Sequence, residues 1–276
     1  MNTIQFTDGT NVPVLGQGTW KFGEGERDET EEVAALRTGV ELGMTLIDTA
    51  EMYGNGAAEK IVGRAIEGLR DRVFLVTKAY PHHASRRELP RACERSLQRL
   101  GTDVIDLYLL HWRGQTPLAE TVEAFEALRT SGKIRRWGVS NFDIDDMKEL
   151  GAMADDCATN QVLYNPEARG IEFALLSWCR ERQMPVMAYS PVGQAGRLLK
   201  NKALLEVARL HDATPAQIAI AWALRQPGVI AIPKASNLDH LRENAAAASI
   251  KLTVDDLAAI DAAFAPPDKK RPLEML

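Results

Sequence analysis

The chain has 276 residues, of which 45% are hydrophobic and 26% charged, with a formal net charge of −5. This is an ordinary globular composition, long enough to bury a large core without disulfide staples. The modest negative charge, with no run of one sign, argues against broad binding to nucleic acid or anionic membranes. The opening MNTIQFTDGT has neither a basic nor an apolar leader region, so no signal peptide is expected. No apolar stretch reaches membrane-spanning length. Cys93, Cys157 and Cys179 are odd in number and form no CxxC pair or zinc spacing, which reads as reduced structural thiols in a cytoplasmic protein. His82-His83, beside Pro81, reads as a solvated loop and not a metal site.

In chain order, Ile4-Gln5-Phe6, the turn Asp8-Gly9-Thr10 and Val12 to Leu15 suggest a β-hairpin. Eight short apolar strands then alternate with helices. The strands are Leu15–Trp20, Thr45–Thr49, Val73–Lys78, Ile105–His111, Ile134–Ser140, Thr159–Tyr164, Pro185–Ser190 and Val229–Pro233. Runs such as Val73-Phe74-Leu75-Val76 do not alternate with polar residues, as expected of parallel strands covered on both faces. Asp28 and Glu31 fit a capping box ahead of Val33, Leu36 and Val40, and Ser85 and Glu88 fit another ahead of Leu89, Cys93, Leu97 and Leu100. Thr121–Arg129 carries Val122, Phe125, Ala127 and Leu128, and Pro215 opens a helix toward Leu224. Ala265-Pro266-Pro267 ends the last helix and begins a tail.

Eight strand–helix pairs over residues 1–276 predict a single-domain α/β fold, a (β/α)8 TIM barrel. A doubly wound open sheet is the alternative. Its glycine fingerprint is absent, because Gly16-Gln17-Gly18-Thr19-Trp20 lacks the third glycine.

A barrel places its chemistry at the C-terminal ends of the strands. Asp48, Tyr53, Lys78 and His111 all fall on that rim, from three neighbouring strands. Each alone has a structural explanation: a helix cap, a loop anchor, a surface lysine, a core histidine. Together they match the needs of carbonyl reduction. Tyr53 would supply the proton, Lys78 would lower the phenol's pKa, Asp48 would keep Lys78 charged, and His111 would orient the carbonyl oxygen. An aldolase-type reaction through a Schiff base on Lys78 is a second reading.

The chain resembles the aldo-keto reductase family, in particular bacterial methylglyoxal-reductase-like members. The resemblance is carried by Gly18-Thr19-Trp20-Lys21, Asp48-Thr49-Ala50, Tyr53-Gly54-Asn55, Thr77-Lys78, Leu110-His111-Trp112, Gly138-Val139-Ser140-Asn141-Phe142, Asn160-Gln161, Tyr189-Ser190-Pro191 and Ile232-Pro233-Lys234. It implies a barrel closed at its bottom by an N-terminal hairpin and a catalytic tetrad of Asp48, Tyr53, Lys78 and His111. It also implies NADPH as cofactor, with NADH an alternative. Gly18, Thr19, Trp20 and Asp48 would border the cofactor; Ser140, Asn141 and Gln161 would hold its carboxamide; Tyr189 would stack on the ring. Ser190, Pro191, Val192 and Gly193 would follow the pyrophosphate, and Lys234, Ala235, Ser236, Asn237, His240, Glu243 and Asn244 the adenosine end.

The family's usual serine after the lysine is Ala235 here, and its usual arginine is His240. Histidine as a residue type is mostly neutral at pH 7, so the phosphate-binding end departs from the pattern. Trp20 and Trp112 would wall a substrate pocket floored by Tyr53 and His111. The short tail implies an open pocket for small aldehydes, ketones or α-dicarbonyls, in a monomer without nucleic-acid or membrane partners. A non-catalytic, cofactor-binding relative is the alternative function.

Overall fold

The computed structural model describes residues 1–25 and 27–276. A hairpin of β1 (Thr3–Gln5) and β2 (Asn11–Pro13) comes first, with Ile4 opposite Val12. Gly9, at φ 88°, makes the turn that the Asp-Gly pair signals.

Eight parallel strands follow: β3 (Gln17–Gly18), β4 (Leu46–Asp48), β5 (Phe74–Ala79), β6 (Leu107–Leu110), β7 (Trp137–Ser140), β8 (Asn160–Leu163), β9 (Val186–Tyr189) and β10 (Val229–Ile232). They pair in sequence order. Bridges from Leu15 to Ala231 and from Gly18 to Lys234 join the first strand to the last. Gly16 N–H donates to Ala231 O at 2.9 Å and Gly18 N–H to Pro233 O at 3.0 Å, so the sheet closes into a barrel. Gly18 is required at this seam, since a Cβ there would lie 2.9 Å from Ile232 O.

Inside the barrel, Leu46, Phe74, Val76, Leu107, Leu109, Met187, Ile230 and Ile232 pack with Phe6 and Val12 of the hairpin. Phe6 stacks on Phe74 with ring centroids 5.4 Å apart. This plugs the N-terminal end and leaves the C-terminal end for chemistry.

The helices form the outer layer. α1 (Glu29–Glu41) starts from Asp28, whose side chain accepts from Thr30 N–H as an N-cap, while Glu31 of the expected box pairs with Arg27 instead. α2 (Ala57–Ile66) follows a turn at Tyr53–Gly56. α3 (Glu88–Leu100) begins after Ser85, whose Oγ accepts from Glu88 N–H at 3.2 Å. α4 (Leu118–Thr130) buries Val122, Phe125 and Leu128, but Ala127 faces solvent. Next come α5 (Ile144–Glu149), α6 (Leu175–Glu181) and α7 (Lys202–Leu210). In α8 (Pro215–Leu224), Thr214 and Gln217 form a complete capping box and Pro215 occupies the first turn. α9 (Leu238–Ala247) and α10 (Val254–Ala263) complete the order. Among the described residues, no helix is long and apolar enough to cross a membrane. All three cysteines are free and buried, and burial pushes each thiol up to about 12.

Candidate active site

Asp48 ends β4, Lys78 lies near the end of β5, and His111 follows β6, so three adjacent strands aim their side chains at one rim. Tyr53 opens the turn after β4. That turn takes the next three residues, Gly54, Asn55 and Gly56, through positive φ. Glycine and asparagine tolerate this region, and the reversal carries Tyr53 back over Lys78.

The Lys78 ammonium is fully buried. Its three protons meet three acceptors: Asp48 Oδ2 at 2.8 Å, Thr49 O at 2.8 Å and Tyr53 Oη at 3.2 Å. Asp48 Oδ1 accepts from Gln161 Nε2 at 2.7 Å. Burial alone disfavours the ammonium, but Asp48 and then Tyr53 more than offset it, and Lys78 is held above its ordinary 10.5. Burial pushes the Asp48 carboxyl above the usual carboxylate range, with Lys78 drawing it back.

The Tyr53 phenol corrects the expectation of a lowered pKa. Burial raises it and the Asp48 charge adds to the rise, while Lys78 acts in the other direction and does not win. The consequence is favourable for an acid. The phenol stays protonated at neutral pH, and the nearby ammonium stabilises the phenolate only once the proton leaves.

His111 is pushed down to about 2, by burial first and by Lys78 second, so its ring is neutral. The ring lies 5.8 Å from the Tyr53 ring, edge to face. Nδ1 is buried without a hydrogen-bond partner among the described residues. An unpaired lone pair costs less than an unpaired N–H, which places the proton on Nε2.

These groups open into a cavity of about 650 Å³, the size of a cofactor or small-ligand site. Of the residues expected to bind cofactor or substrate, the cavity is lined by Gly18, Thr19, Trp20, Asp48, Tyr53, His111, Trp112, Ser140, Asn141, Gln161, Tyr189, Ser190, Pro191, Val192, Lys234, Ala235, Ser236, Asn237 and His240. Gly193, Glu243 and Asn244 do not line it. Asn244 is buried on α9, and the Glu243 carbonyl accepts from Gln217 Nε2 at 3.1 Å.

Neutral amide and hydroxyl groups (Ser140, Asn141, Gln161) gather beside Asp48 and His111, and the Lys234 ammonium with Ser236 Oγ, 3.3 Å away, belongs to the part of the cavity next to α9. This donor set fits a dinucleotide with an uncharged carboxamide at one end and phosphate at the other. Asn141 is already engaged: Tyr189 O–H donates to its Oδ1 at 2.9 Å, and its Nδ2 donates to His111 O at 3.1 Å. A second lone pair on Oδ1 leaves room for a carboxamide N–H beside the Tyr189 bond. Ser190 sits at φ 47°, strained for a non-glycine residue, and Asn141 at φ 58°, a region asparagine tolerates; both lie where strand ends meet the cavity.

Three features escaped the sequence reading. Glu51, 6% exposed, accepts from Tyr80 N–H and pairs with His83 Nδ1, each at 2.8 Å. It thereby ties the loop carrying Tyr53 to the strand end carrying Lys78, and His83 is not simply solvated. Arg27 lines the cavity, ahead of α1. The tail is also not withdrawn, because Met275 and Leu276 line the cavity. Arg169 Nη1 donates to Phe264 O, Lys270 pairs with Asp143 and Asp145, and Leu273 packs on the core, so the tail is led back over the rim. The pocket is therefore partly covered, contrary to the open one its short length implied.

The family model for the aldo/keto reductase family matches residues 14–265. The chain is 52% identical to methylglyoxal reductase YeaE of Escherichia coli, over 99% of this chain and 98% of that protein. It is 34% identical to the glyoxal reductase of Bacillus subtilis, over 95% of this chain and 92% of that protein. It superposes with a TM-score of 0.97 on an aldo-keto reductase from Klebsiella pneumoniae solved in complex with NADPH, at 52% identity and covering 100% of this chain and 99% of that one. The buried tetrad at the rim of a closed eight-stranded barrel and these likenesses together make the chain a member of the aldo/keto reductase family.

Proposed function

We propose that the protein is an NADPH-dependent carbonyl reductase that converts small aldehydes, ketones and α-dicarbonyls such as methylglyoxal to alcohols. The observation that carries this reading is the continuous buried chain Asp48–Lys78–Tyr53 ending at the cavity beside His111. The names of the relatives, methylglyoxal and glyoxal reductases, support the substrate class.

Ser140, Asn141, Gln161 and Tyr189 would hold the nicotinamide end, and Lys234 with Ser236 and Asn237 the adenosine end. When bound, NADPH supplies the hydride. His111 Nε2–H donates to the carbonyl oxygen and fixes its orientation; Trp20 and Trp112 wall the remainder of the substrate. As negative charge grows on that oxygen, Tyr53 passes it the phenolic proton. The Lys78 ammonium, 3.2 Å away, takes up the phenolate charge, and Asp48 keeps the ammonium in place. A drier site strengthens each of these contacts, and Met275 and Leu276 help exclude water.

We also propose that the chain works as a cytoplasmic monomer with no nucleic-acid or membrane partner; its mild net charge of −5 supports the last of these, the lack of such partners. Tyr53→Phe tests the central role. Turnover of methylglyoxal should fall by about 10²-fold or more while NADPH still binds. Retained turnover would remove Tyr53 from the reaction. Binding of NADPH by the wild type with no turnover of any small carbonyl would favour a non-catalytic relative.

A further inference from the structure

We propose that Arg27 is a second cation for the 2′-phosphate of the cofactor, doing from across the barrel seam what an arginine at position 240 would otherwise do. The inference rests on the NADPH reading above and deepens it by assigning the residue that separates NADPH from NADH.

The seam brings the two ends of the barrel together. Gly18 bridges to Lys234, so the loop leaving β3 and the loop leaving β10 start side by side. They stay together further out, where the Lys234 ammonium lies 5.5 Å from the Phe22 ring centroid. The helices that follow, α1 and α9, pack against each other. Both run away from the same rim, so their N-termini are neighbours. Arg27 immediately precedes Asp28, the N-cap of α1, and His240 lies in the first turn of α9. Both side chains line the same cavity as Lys234 and Ser236.

The chemistry of this corner calls for a side-chain cation. Two of the first three N–H groups of α9 are already taken, because Asn237 Oδ1 accepts from Asp239 and His240 N–H at 2.8 and 3.2 Å. Histidine is not a permanent cation, and position 235 is alanine. Lys21 lines the cavity too, but its ammonium sits over Trp20, 5.1 Å from the ring centroid, at the substrate wall. Arg27 is the only arginine lining the cavity among the described residues. Its pairing with Glu31, at 3.3 Å, is an exposed i,i+4 contact of the weak kind, which a phosphate can outcompete. A guanidinium is charged at every working pH and offers paired donors that match phosphate oxygens.

The test measures binding and needs no turnover. Dissociation constants for NADP+, NAD+, 2′,5′-ADP and 5′-AMP are determined by calorimetry on the full chain. Wild type is compared with Arg27→Gln, Arg27→Lys and the double variant Arg27→Gln/His240→Arg. Arg27→Gln should weaken NADP+ and 2′,5′-ADP by about tenfold, the loss expected for one charge-assisted contact, and shift NAD+ and 5′-AMP by less than about twofold. Arg27→Lys should fall between, and the double variant should regain most of the loss. Equal weakening of phosphorylated and unphosphorylated ligands, or no weakening, would overturn the assignment of Arg27. A wild type that binds 2′,5′-ADP no better than 5′-AMP would overturn the NADPH reading itself, a result distinct from the first.

Discussion

Replacing Lys78 by methionine separates what the buried charges do for the fold from what they do for the reaction. The substitution roughly keeps the volume of a fully buried side chain and removes the counter-charge 2.8 Å from Asp48. Asp48 then keeps only the Gln161 N–H as a partner among the contacts described. Breaking a buried pair in this way costs about 3–5 kcal/mol. At ~2 °C per kcal/mol for a chain of this size, Tm should drop by about 6–10 °C. Turnover should fall separately, by about 10²–10³-fold, because the Tyr53 phenolate loses its positively charged donor. The double variant Asp48→Asn/Lys78→Met carries no buried charge at these two positions, and most of the lost stability should return without the lost turnover. Thermal melts at pH 7 and NADPH oxidation with methylglyoxal measure the two quantities on the same samples. A double variant as unstable as the single one would refute the buried-charge argument. A double variant with restored turnover would refute the role of the ammonium. The wild type adds a pH signature: Lys78 is held above 10.5 in the fold, so its contribution is complete below 10.5 and fades as pH rises through the folded value.

His111 predicts a loss of stability in acid. The folded ring, at about 2, refuses the proton that an unfolded chain takes up below 6.5. Stability should therefore decline as pH falls from 6.5 toward 2, at no more than about 1.4 kcal/mol per unit. Acid melts of His111→Gln should lack that part of the slope; an unchanged slope would mean the ring is not buried neutral. Glu51→Ala should cost about 1–3 kcal/mol, since Tyr80 N–H and His83 lose their acceptor, and should lower kcat with little change in KM. Glu51→Gln, which can still accept from Tyr80, should be milder, and denaturant titrations that rank the two equally would argue against the tie between loops. Deleting Met275 and Leu276 should raise KM for methylglyoxal by about tenfold through lost apolar contact and improve turnover of bulkier ketones. Unchanged kinetics on both substrates would place the tail outside the working pocket.

The strands were legible because parallel strands buried on both faces must be apolar, and the tetrad because polar residues at their ends have no other reason to cluster. What escaped was set by distance through space. Glu51 reads as one more loop carboxylate until Tyr80 and His83, about thirty residues away, close over it. The Tyr53 environment was right in the sign of its neighbour and wrong in the outcome, because desolvation depends on burial and not on which residues are near. Gly193, Glu243 and Asn244 came from the family pattern and do not line the cavity. The tail has no periodicity after Pro266-Pro267, and its course is decided by Lys270 and Leu273 against surfaces formed much earlier in the chain.

The seam at Gly18 and Lys234 also has a bearing on how the protein is made. The cavity wall draws on early residues such as Gly18 and Trp20, middle ones such as His111 and Gln161, and late ones such as Lys234 and His240, so a nascent chain has no complete binding site until α9 has left the ribosome. A dinucleotide lying across the join would then act as a clasp between early and late segments, shifting the equilibrium toward the closed ring. Cofactor supply would thus govern how long the finished barrel survives proteolysis as well as how fast it turns over, and a break in the seam at Gly18 would also loosen its partner Lys234.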